Sequence, residues 1–364
     1  MNWVDIEVPA FECYAKHLHE MPAASTCLFF VTIVLVLLGY CIRRSLALVL
    51  LVTSLALDAS KSIAAESRVS VLYAGSLGNL MEIDLGPAFS RATGYKYVGE
   101  AKGSLLSANL IKEQLRTPDV FISADPKVNL LLMGPENGHL VRWYATIFGN
   151  ELVIGYHPNS RFAAQLKQLG PDDIRVYEIL QQKGCRLGRG DPELEPKGYR
   201  TLFLFDLAEK YYRQPGLATK ILHDAEHPTL VFPEEQLVAR LEAGQLDAGI
   251  FYRNEIVEHD LPFIAFPREL NLSDPALDSY YSSATYMNRK GVAYSGSAIV
   301  YSVTIPDRSQ NREGAIALVS FLLSDEGRKI VEKHALRLVQ PSVSGELDAT
   351  PSAVQTALKR VSSR

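Results

Sequence analysis

The sequence predicts an α/β fold in which mainly parallel sheets are flanked by helices. Short apolar runs typical of buried strands alternate with amphipathic helical patterns along most of the chain, as in strand–helix–strand units. Two of the strand patterns end in Gly-Ser and continue directly into a helical pattern. The chain has 364 residues, which is enough to form two lobes with separate cores.

The first lobe is predicted to begin with three strand–helix units. These strands and helices alternate at 69–74, 77–91, 95–99, 104–116, 118–125 and 126–133. In a parallel sheet the carboxyl ends of the strands share one edge, where ligands bind. Ser76, Ser104 and Asp125 follow the three strands, so we expect their side chains along that edge.

A second lobe is predicted where the chain leaves the first sheet. A strand pattern at 150–156 predicts the crossing, and an apolar pattern at 298–305 predicts the return. Between them we expect helices at 173–180, at 200–213 and from Pro233, strands at 247–252 and 263–266, and a polar Pro/Gly loop at 187–200. Helices at 312–323 and 325–334 close the fold. The predicted divisions are a hydrophobic signal region at 1–66, lobe 1 at 68–148 plus 268–344, lobe 2 at 149–267, and a polar tail at 345–364 that frays beyond residue 350.

The first 66 residues carry two apolar runs, at 27–42 and 46–57. Arg43-Arg44 precedes the second run and Ser62-Ile63-Ala64 follows it, which is the layout of a secretory signal with its cleavage site. Three interpretations stay open: a signal preceded by residues that are not translated, a membrane anchor at 27–42, and one long signal. All three export the protein, so we expect a periplasmic domain.

Composition argues against several functional classes. The net charge of −4 offers no basic excess for binding nucleic acid. Three of the four cysteines lie in the first 41 residues, and none has a zinc-type spacing. The eight histidines form no recognisable hydrolase motif. His223 and His227 are followed by Pro228, which favours a loop over a metal-binding helix. We therefore expect neither an enzyme nor a cofactor.

The two Gly-Ser pairs indicate an anion site. Gly75-Ser76 and Gly103-Ser104 each stand between a strand and a helix. Glycine allows a ligand to approach closely, serine can donate a hydrogen bond, and a helix N-terminus offers free N–H groups and a positive dipole end. Two such helix ends facing one point would bind an oxyanion. The alternative role of each serine is to cap its helix.

In the order of its motifs the sequence resembles the periplasmic molybdate/tungstate-binding proteins of ABC uptake systems, especially their tungstate branch. The resemblance spans about residues 69–341 and is carried by Ala74-Gly75-Ser76-Leu77, Gly103-Ser104, Pro196-Lys197-Gly198-Tyr199-Arg200, Glu242-Ala243-Gly244-Gln245-Leu246-Asp247, Asn271-Leu272-Ser273-Asp274-Pro275 and Phe321-Leu322-Leu323-Ser324-Asp325-Glu326-Gly327.

This resemblance implies a two-lobed type II periplasmic binding protein, a clamshell with the oxyanion between its lobes. Family members hold the oxyanion with serines that match Ser76 and Ser104 and with a tyrosine that matches Tyr252. In archaeal members two carboxylates also approach the metal centre. One belongs to an Asp-Pro-Cys-Gly-Tyr-Arg motif, which here reads Glu195-Pro196-Lys197-Gly198-Tyr199-Arg200, and the other matches Glu234 or Glu235.

The two carboxylates are compatible with two modes of oxyanion binding. A carboxylate near a dianion repels it unless it bonds to the metal or pairs with a cation, and Lys197 and Arg200 could supply such pairing. If Glu195 and Glu234 turn away, a tetrahedral oxyanion would be held by neutral donors only. The motif differs from the family pattern, with Glu for Asp and Lys for Cys.

The predicted function is that of a monomeric, exported receptor. It would capture the small oxyanion tungstate or molybdate, without a cofactor, and deliver it to an ABC permease in the inner membrane. Alternatives are a receptor for another tetrahedral oxyanion such as sulfate, a membrane-tethered anion sensor, and a hydrolase, for which the sequence offers no base. The predicted ligand-binding residues are Gly75, Ser76, Ser104, Glu195, Pro196, Lys197, Glu234 and Tyr252, with Asp125, Asp191 and Glu235 as secondary candidates.

Overall fold

The structure, a computed structural model, describes residues 67–225 and 227–362. The predicted signal and anchor segments, in residues 1–66, lie outside the described residues. The described part contains two large sheets and one two-stranded hairpin. None of its helices is both long and apolar enough to cross a membrane.

The described residues form fourteen β-strands. They are β1 (Arg68–Ala74), β2 (Lys96–Lys102), β3 (Val120–Ser123), β4 (Trp143–Gly149), β5 (Leu152–Tyr156), β6 (Leu187–Gly190), β7 (Val231–Phe232), β8 (Ala248–Tyr252), β9 (Phe263–Ala265), β10 (Thr285–Met287), β11 (Ala293–Ser295), β12 (Val300–Thr304), β13 (Arg337–Leu338) and β14 (Val343–Gly345).

The first sheet has seven strands, in the order β13-β4-β12-β3-β1-β2 with β14 also paired to β4. β1 is parallel to β2 and β3, whereas β12 is antiparallel to β3 and β4. The second sheet has five strands, in the order β7-β6-β8-β5-β9. Here β6 is parallel to β7 and β8, and β5 is antiparallel to β8 and β9.

The predicted α/β fold is therefore confirmed, with mixed sheets in place of mainly parallel ones. The antiparallel strands include those that flank the two crossings between the sheets. β4 leads into β5 through a two-residue connection, and after β9 the chain returns to the first sheet at β12, with α9 and the β10–β11 hairpin in between. Alternating strands and helices predict parallel neighbours, but a strand that leaves its sheet carries no such constraint.

The described residues also form twelve α-helices. They are α1 (Gly86–Thr93), α2 (Ser104–Lys112), α3 (Ala163–Leu166), α4 (Arg175–Leu180), α5 (Pro196–Tyr212), α6 (Leu217–Leu222), α7 (Glu234–Glu242), α8 (Arg253–Glu258), α9 (Asp278–Tyr281), α10 (Arg312–Leu322), α11 (Asp325–Lys333) and α12 (Ser352–Ser362).

Helix boundaries near the site differ from the prediction. The predicted helix at 77–91 is a 3₁₀ turn (Gly75–Leu77), a π-helix (Leu80–Leu85) and then α1. The helix predicted from 126 to 133 is a 3₁₀ helix, Pro126–Leu131. The polar loop predicted at 187–200 contains β6, and α5 already begins at Pro196, because proline fits the first turn of a helix.

The predicted frayed tail is wrong, since residues 352–362 form α12. Val354, Leu358 and Val361 are at most 5% exposed, and they recur at the spacing of one helix face. α12 packs against α10 of the first sheet's layer. The polar residues between these apolar positions cover the solvent face, so average composition concealed an amphipathic helix.

Candidate functional site

The candidate site lies where the two sheets' elements meet. The first sheet contributes the carboxyl ends of β1 and β3 and the start of α2, and the second contributes the end of β8 and the starts of α5 and α7. The main candidate side chains are at most 4% exposed: Ser76, Ser104, Glu195, Lys197, Glu234 and Tyr252. We call each large sheet with its helices one half of the described molecule, the first half containing β1 and the second containing β5. The two halves are therefore closed over these groups.

Two glycines mark close approaches between the halves. A Cβ added at Gly75 would lie 2.9 Å from Oε2 of Glu234. A Cβ added at Gly103 would lie 2.6 Å from the carbonyl oxygen of Leu194 and 3.1 Å from Cβ of Glu195. Each Gly-Ser pair thus packs against one of the two candidate carboxylate residues, and the missing glycine side chain makes the contact possible.

The two serines do not cap their helices. Ser76 lies within the 3₁₀ turn, and its Oγ is 2.8 Å from the hydroxyl oxygen of Tyr301. Ser104 is the first residue of α2, and its Oγ accepts a hydrogen bond from the N–H of Ala124 at 3.0 Å. Each hydroxyl is thus oriented by the first half of the molecule.

The start of α2 faces the backbone of the second half. The N–H groups of Leu105 and Leu106 donate to the carbonyl oxygen of Leu194 at 3.0 and 3.1 Å. A helix N-terminus attracts negative charge and hydrogen-bond acceptors. Closure therefore satisfies two donors of α2 with an oxygen of the loop before α5.

Glu195 and Glu234 are the least satisfied polar groups of the site. Their four carboxylate oxygens are buried and have no hydrogen-bond partner among the described residues. Burial raises the pKa of Glu195 well above its usual value, and repulsion from Glu234 is the second largest cause of this rise. Burial also raises the pKa of Glu234, although Lys197 partly offsets it. Buried polar groups are normally paired, so such a pair indicates a place for a missing partner.

Lys197 is a buried cation between acidic side chains. Its Nζ donates to Glu255 at 2.7 and 3.0 Å and lies 3.4 Å from Oε1 of Glu234. Burial alone would lower the pKa of Lys197, but Glu255, Glu234 and Glu195 raise it above its usual value. Glu255 also accepts from the backbone N–H of Tyr252 at 2.8 Å. Lys197 therefore ties the start of α5 to the starts of α7 and α8.

A second buried charge network borders the first. Nη1 of Arg200 donates to the Tyr252 hydroxyl and to the carbonyl oxygen of Ala124, both at 2.7 Å. Nη2 of Arg200 lies 3.1 Å from Oδ2 of Asp125, which also accepts from the Tyr199 hydroxyl at 2.8 Å. Asp125 and Ala124 belong to the first half and the other three residues to the second, so this network joins the halves.

Comparison with known proteins identifies the family. Residues 69–337 match the bacterial extracellular solute-binding protein family. The chain belongs to this family. An uncharacterized solute-binding protein of Petrotoga mobilis is 30% identical over 297 residues, which cover 80% of this chain and 90% of the relative. The family resemblance inferred from the sequence is confirmed, and membership assigns the chain to solute binding and transport outside the cytoplasm.

Two further relatives are similar over most of their length. The molybdate/tungstate-binding protein WtpA of Thermococcus kodakarensis is 28% identical over 304 residues, which cover 77% of this chain and 84% of that protein. The periplasmic molybdate-binding protein of Azotobacter vinelandii has a similar structure, with a TM-score of 0.51, 17% identity, and coverage of 74% of this chain and 99% of that one. This second likeness supports the type II periplasmic binding protein fold.

The remaining candidates of this solute-binding protein occupy different settings. Pro196 is buried at the first position of α5. Asp191 accepts from the N–H of Glu193 at 2.8 Å and forms the turn before α5. Glu235 is exposed on α7, whereas the adjacent Glu234 is buried. Of the two adjacent acids, only Glu234 is thus directed toward the site.

Sequence reasoning missed several buried groups of the site. Tyr301, on β12, contacts Ser76, and Asn254 donates to the carbonyl oxygen of Ser76 at 2.7 Å. Neither has a local motif, because their partners are 225 and 178 residues away. Glu255 could have been found, since it stands three residues after Tyr252 at the spacing of a capping box, which the structure contains.

Proposed function

We propose that this solute-binding protein captures tungstate or molybdate between its two halves and delivers it to an ABC permease. The name of the Thermococcus relative supports this class of ligand. The site supports it independently through the buried oxygens of Glu195 and Glu234, which lack hydrogen-bond partners in the described chain. Within the described residues these two buried carboxylates lack hydrogen-bond partners, and of the two only Glu234 forms an ion pair, at 3.4 Å from Nζ of Lys197. They are the observation on which the proposal rests.

The pair favours an oxyanion with a metal at its centre. An ionised carboxylate only accepts hydrogen bonds, and so do the oxygens of an oxyanion. Two such groups repel each other unless the carboxylate bonds to the central atom. Molybdenum and tungsten can expand from four to six oxygen ligands, whereas the sulfur of sulfate cannot. We therefore infer that Glu195 and Glu234 complete a six-coordinate metal centre.

The other candidates would hold the oxyanion's own oxygens. Ser76 and Ser104 stand beside Gly75 and Gly103, the glycines that contact the two carboxylate residues. In the bound state their hydroxyls and the Tyr252 hydroxyl are available as neutral donors. Lys197 and Arg200 offset the acidic charge, and Pro196 fixes the start of α5. Asp125 and Asp191 would act by holding donors in place.

Capture would follow from closure of two lobes. In this proposal, lobe 1 comprises residues 68–148 and 268–344, lobe 2 comprises residues 149–267, and the crossings between the sheets act as hinges. An anion enters the open cleft and is buried when α2 meets the loop before α5.

Residues 1–66 would export the chain as a signal that is cleaved. The mature protein would act as a periplasmic monomer, and a retained anchor at 27–42 would make it a tethered receptor instead.

Isothermal titration of the purified protein with sodium tungstate, molybdate, sulfate and phosphate tests the proposal. We expect tungstate and molybdate to bind at least about 100-fold more tightly than sulfate or phosphate, because only the first two can bond to the carboxylates. Equal or tighter binding of sulfate would favour the alternative of a sulfate receptor. Absence of binding by either metal oxyanion would refute the proposal.

A further inference from the structure

A buried histidine connects the two halves outside the candidate site. His334 follows α11 and is 6% exposed. Its Nδ1 lies 2.7 Å from Oε1 of Glu258, and its Nε2 lies 2.8 Å from Oδ2 of Asp84. Asp84 lies in the π-helix after β1 and belongs to the first half, like His334 itself. Glu258 ends α8 of the second half.

This geometry favours a charged imidazole. A neutral histidine has one N–H and one bare nitrogen, so one of the two carboxylates would face a lone pair at hydrogen-bond distance. Only the imidazolium can donate to both. Burial alone would lower the pKa of His334, but its hydrogen bonds to Glu258 and Asp84 raise it above the usual value of about 6.5.

The surrounding charges leave the imidazolium with two acidic partners. His259, next to Glu258, lies 2.8 Å from Glu242 and 3.2 Å from Asn79 instead. Lys333, on the same helix, donates to Asp84 at 2.8 Å. Arg337, on β13, donates to the carbonyl oxygen of Ser273. Asp84 therefore faces two cationic groups of its own half, Lys333 and His334, whereas Glu258 has only His334 as a charged partner among the described residues.

Glu258 is also connected to the candidate site through the side chain of Asn254. Asn254, one turn earlier on α8, lies 3.4 Å from Oε1 of Glu258 through its Nδ2, which also donates to the carbonyl oxygen of Ser76 at 2.7 Å. The contact of His334 with Glu258 and the closure of α8 over Ser76 therefore occur together.

We propose that His334 is a pH-sensitive latch between the two halves. Its protonated form bonds Glu258 and favours the closed state, and its neutral form releases Glu258 and favours opening. In the open state His334 keeps Asp84 but loses Glu258, so it holds its proton less tightly than in the closed state. The latch is complete below the open-state pKa and is lost as the pH rises through the closed-state pKa. Closure and ligand capture therefore take up a proton, and a more alkaline medium promotes release.

Hydrogen exchange at the start of α2 tests the latch without any ligand. The amides of Leu105 and Leu106 bond to Leu194 only when the halves meet, so their protection reports closure. The full chain is compared with His334→Gln and with Glu258→Gln, which removes the partner and keeps the histidine. The matched control is His139→Asn, a half-exposed histidine whose acidic neighbour Glu346 lies in the same half.

At about pH 6.5 we expect exchange of these amides to be at least about fivefold faster in both latch variants than in the unmodified chain and in His139→Asn. At about pH 9 all four proteins should converge, because none of them then has an imidazolium at residue 334. Equal rates at the lower pH, or a difference that persists unchanged at the higher pH, would overturn the proposal. A folding defect would keep amide exchange fast at both pH values, so equal rates at about pH 9 distinguish loss of the latch from a folding defect.

A second arm measures binding and rests on the proposed function. Tungstate affinity of the unmodified chain should fall at least about fivefold from pH 6.5 to pH 9, and that of His334→Gln should change by less than about twofold. If tungstate does not bind at all, the proposed function fails while the exchange experiment still decides on the latch. If tungstate binds with the same pH dependence in both proteins, the latch fails alone.

Discussion

At the residue scale, the carboxylate of Glu234 decides between two modes of binding. If oxyanion binding uses neutral donors only, a buried negative charge beside it weakens the complex, and Glu234→Gln should strengthen binding. If the carboxylate bonds to the central metal, the same change should weaken binding. We expect the second outcome, with a loss of at least about tenfold in tungstate affinity by titration calorimetry.

Glu235→Gln is the matched control for this experiment. It removes the same charge from the adjacent, exposed position of α7, so affinity should change by less than about twofold. Glu234→Gln retains the Lys197–Glu255 pair and should leave the folded protein intact without ligand. Unchanged or tighter tungstate binding in Glu234→Gln would refute six-coordinate binding.

The individual site residues differ in how far sequence could predict them. Gly75-Ser76 and Gly103-Ser104 could be selected because a strand, a glycine and a helix start form one continuous pattern. Tyr301 could not, because it sits in an apolar strand whose pattern predicts a core residue. Its contact with Ser76 arises from the pairing of β12 with β3, and no local pattern encodes that pairing.

At the scale of elements, local patterns predicted which segments form strands and helices better than where they end. α5 begins four residues before the predicted helix. The prediction gave more weight to the loop composition of Pro196-Lys197-Gly198 than to the preference of proline for a first turn. The mixed sheets also escaped prediction. Strand direction depends on which strands become neighbours after the chain crosses between sheets, and this is a property of tertiary structure.

Helix α12 gives a prediction at this scale. Leu358 is 5% exposed, so Leu358→Ala should lower the free energy of unfolding by about 2 to 4 kcal/mol through lost burial and a cavity. Denaturant unfolding measures the change. Lys359→Ala, at the adjacent exposed position, should alter stability by less than about 0.5 kcal/mol. Equal effects of the two substitutions would mean that the last helix does not pack on the fold as described.

At the scale of the whole molecule, ligand capture depends on how closely the two halves approach. The distance between the halves is set at two glycines that contact the other half. Gly75 lies against the side chain of Glu234, and Gly103 lies against the carbonyl oxygen of Leu194. Packed interiors do not deform continuously, so even one added methyl group at such a contact is expected to displace a whole half of the molecule.

Gly75→Ala tests this view of closure. Its Cβ would lie 2.9 Å from Oε2 and 3.2 Å from Cγ and Cδ of Glu234. Either the carboxylate moves out of the site or the halves separate, and both outcomes weaken tungstate binding, by about tenfold or more. Gly78→Ala is the matched control, because its Cβ would meet nothing within 4 Å and its backbone is already helical.

Thermal and denaturant unfolding with and without tungstate separates closure from stability. At a ligand concentration about 100 times the Kd of the unmodified chain, binding stabilises that chain by about 2.7 kcal/mol, and a tenfold weaker variant by about 1.4 kcal/mol. Without ligand, Gly75→Ala should stay within about 1 kcal/mol of the unmodified chain, because opening relieves the new contact. Equal stabilisation of Gly75→Ala and Gly78→Ala by tungstate would show that the close approach at Gly75 plays no part in capture.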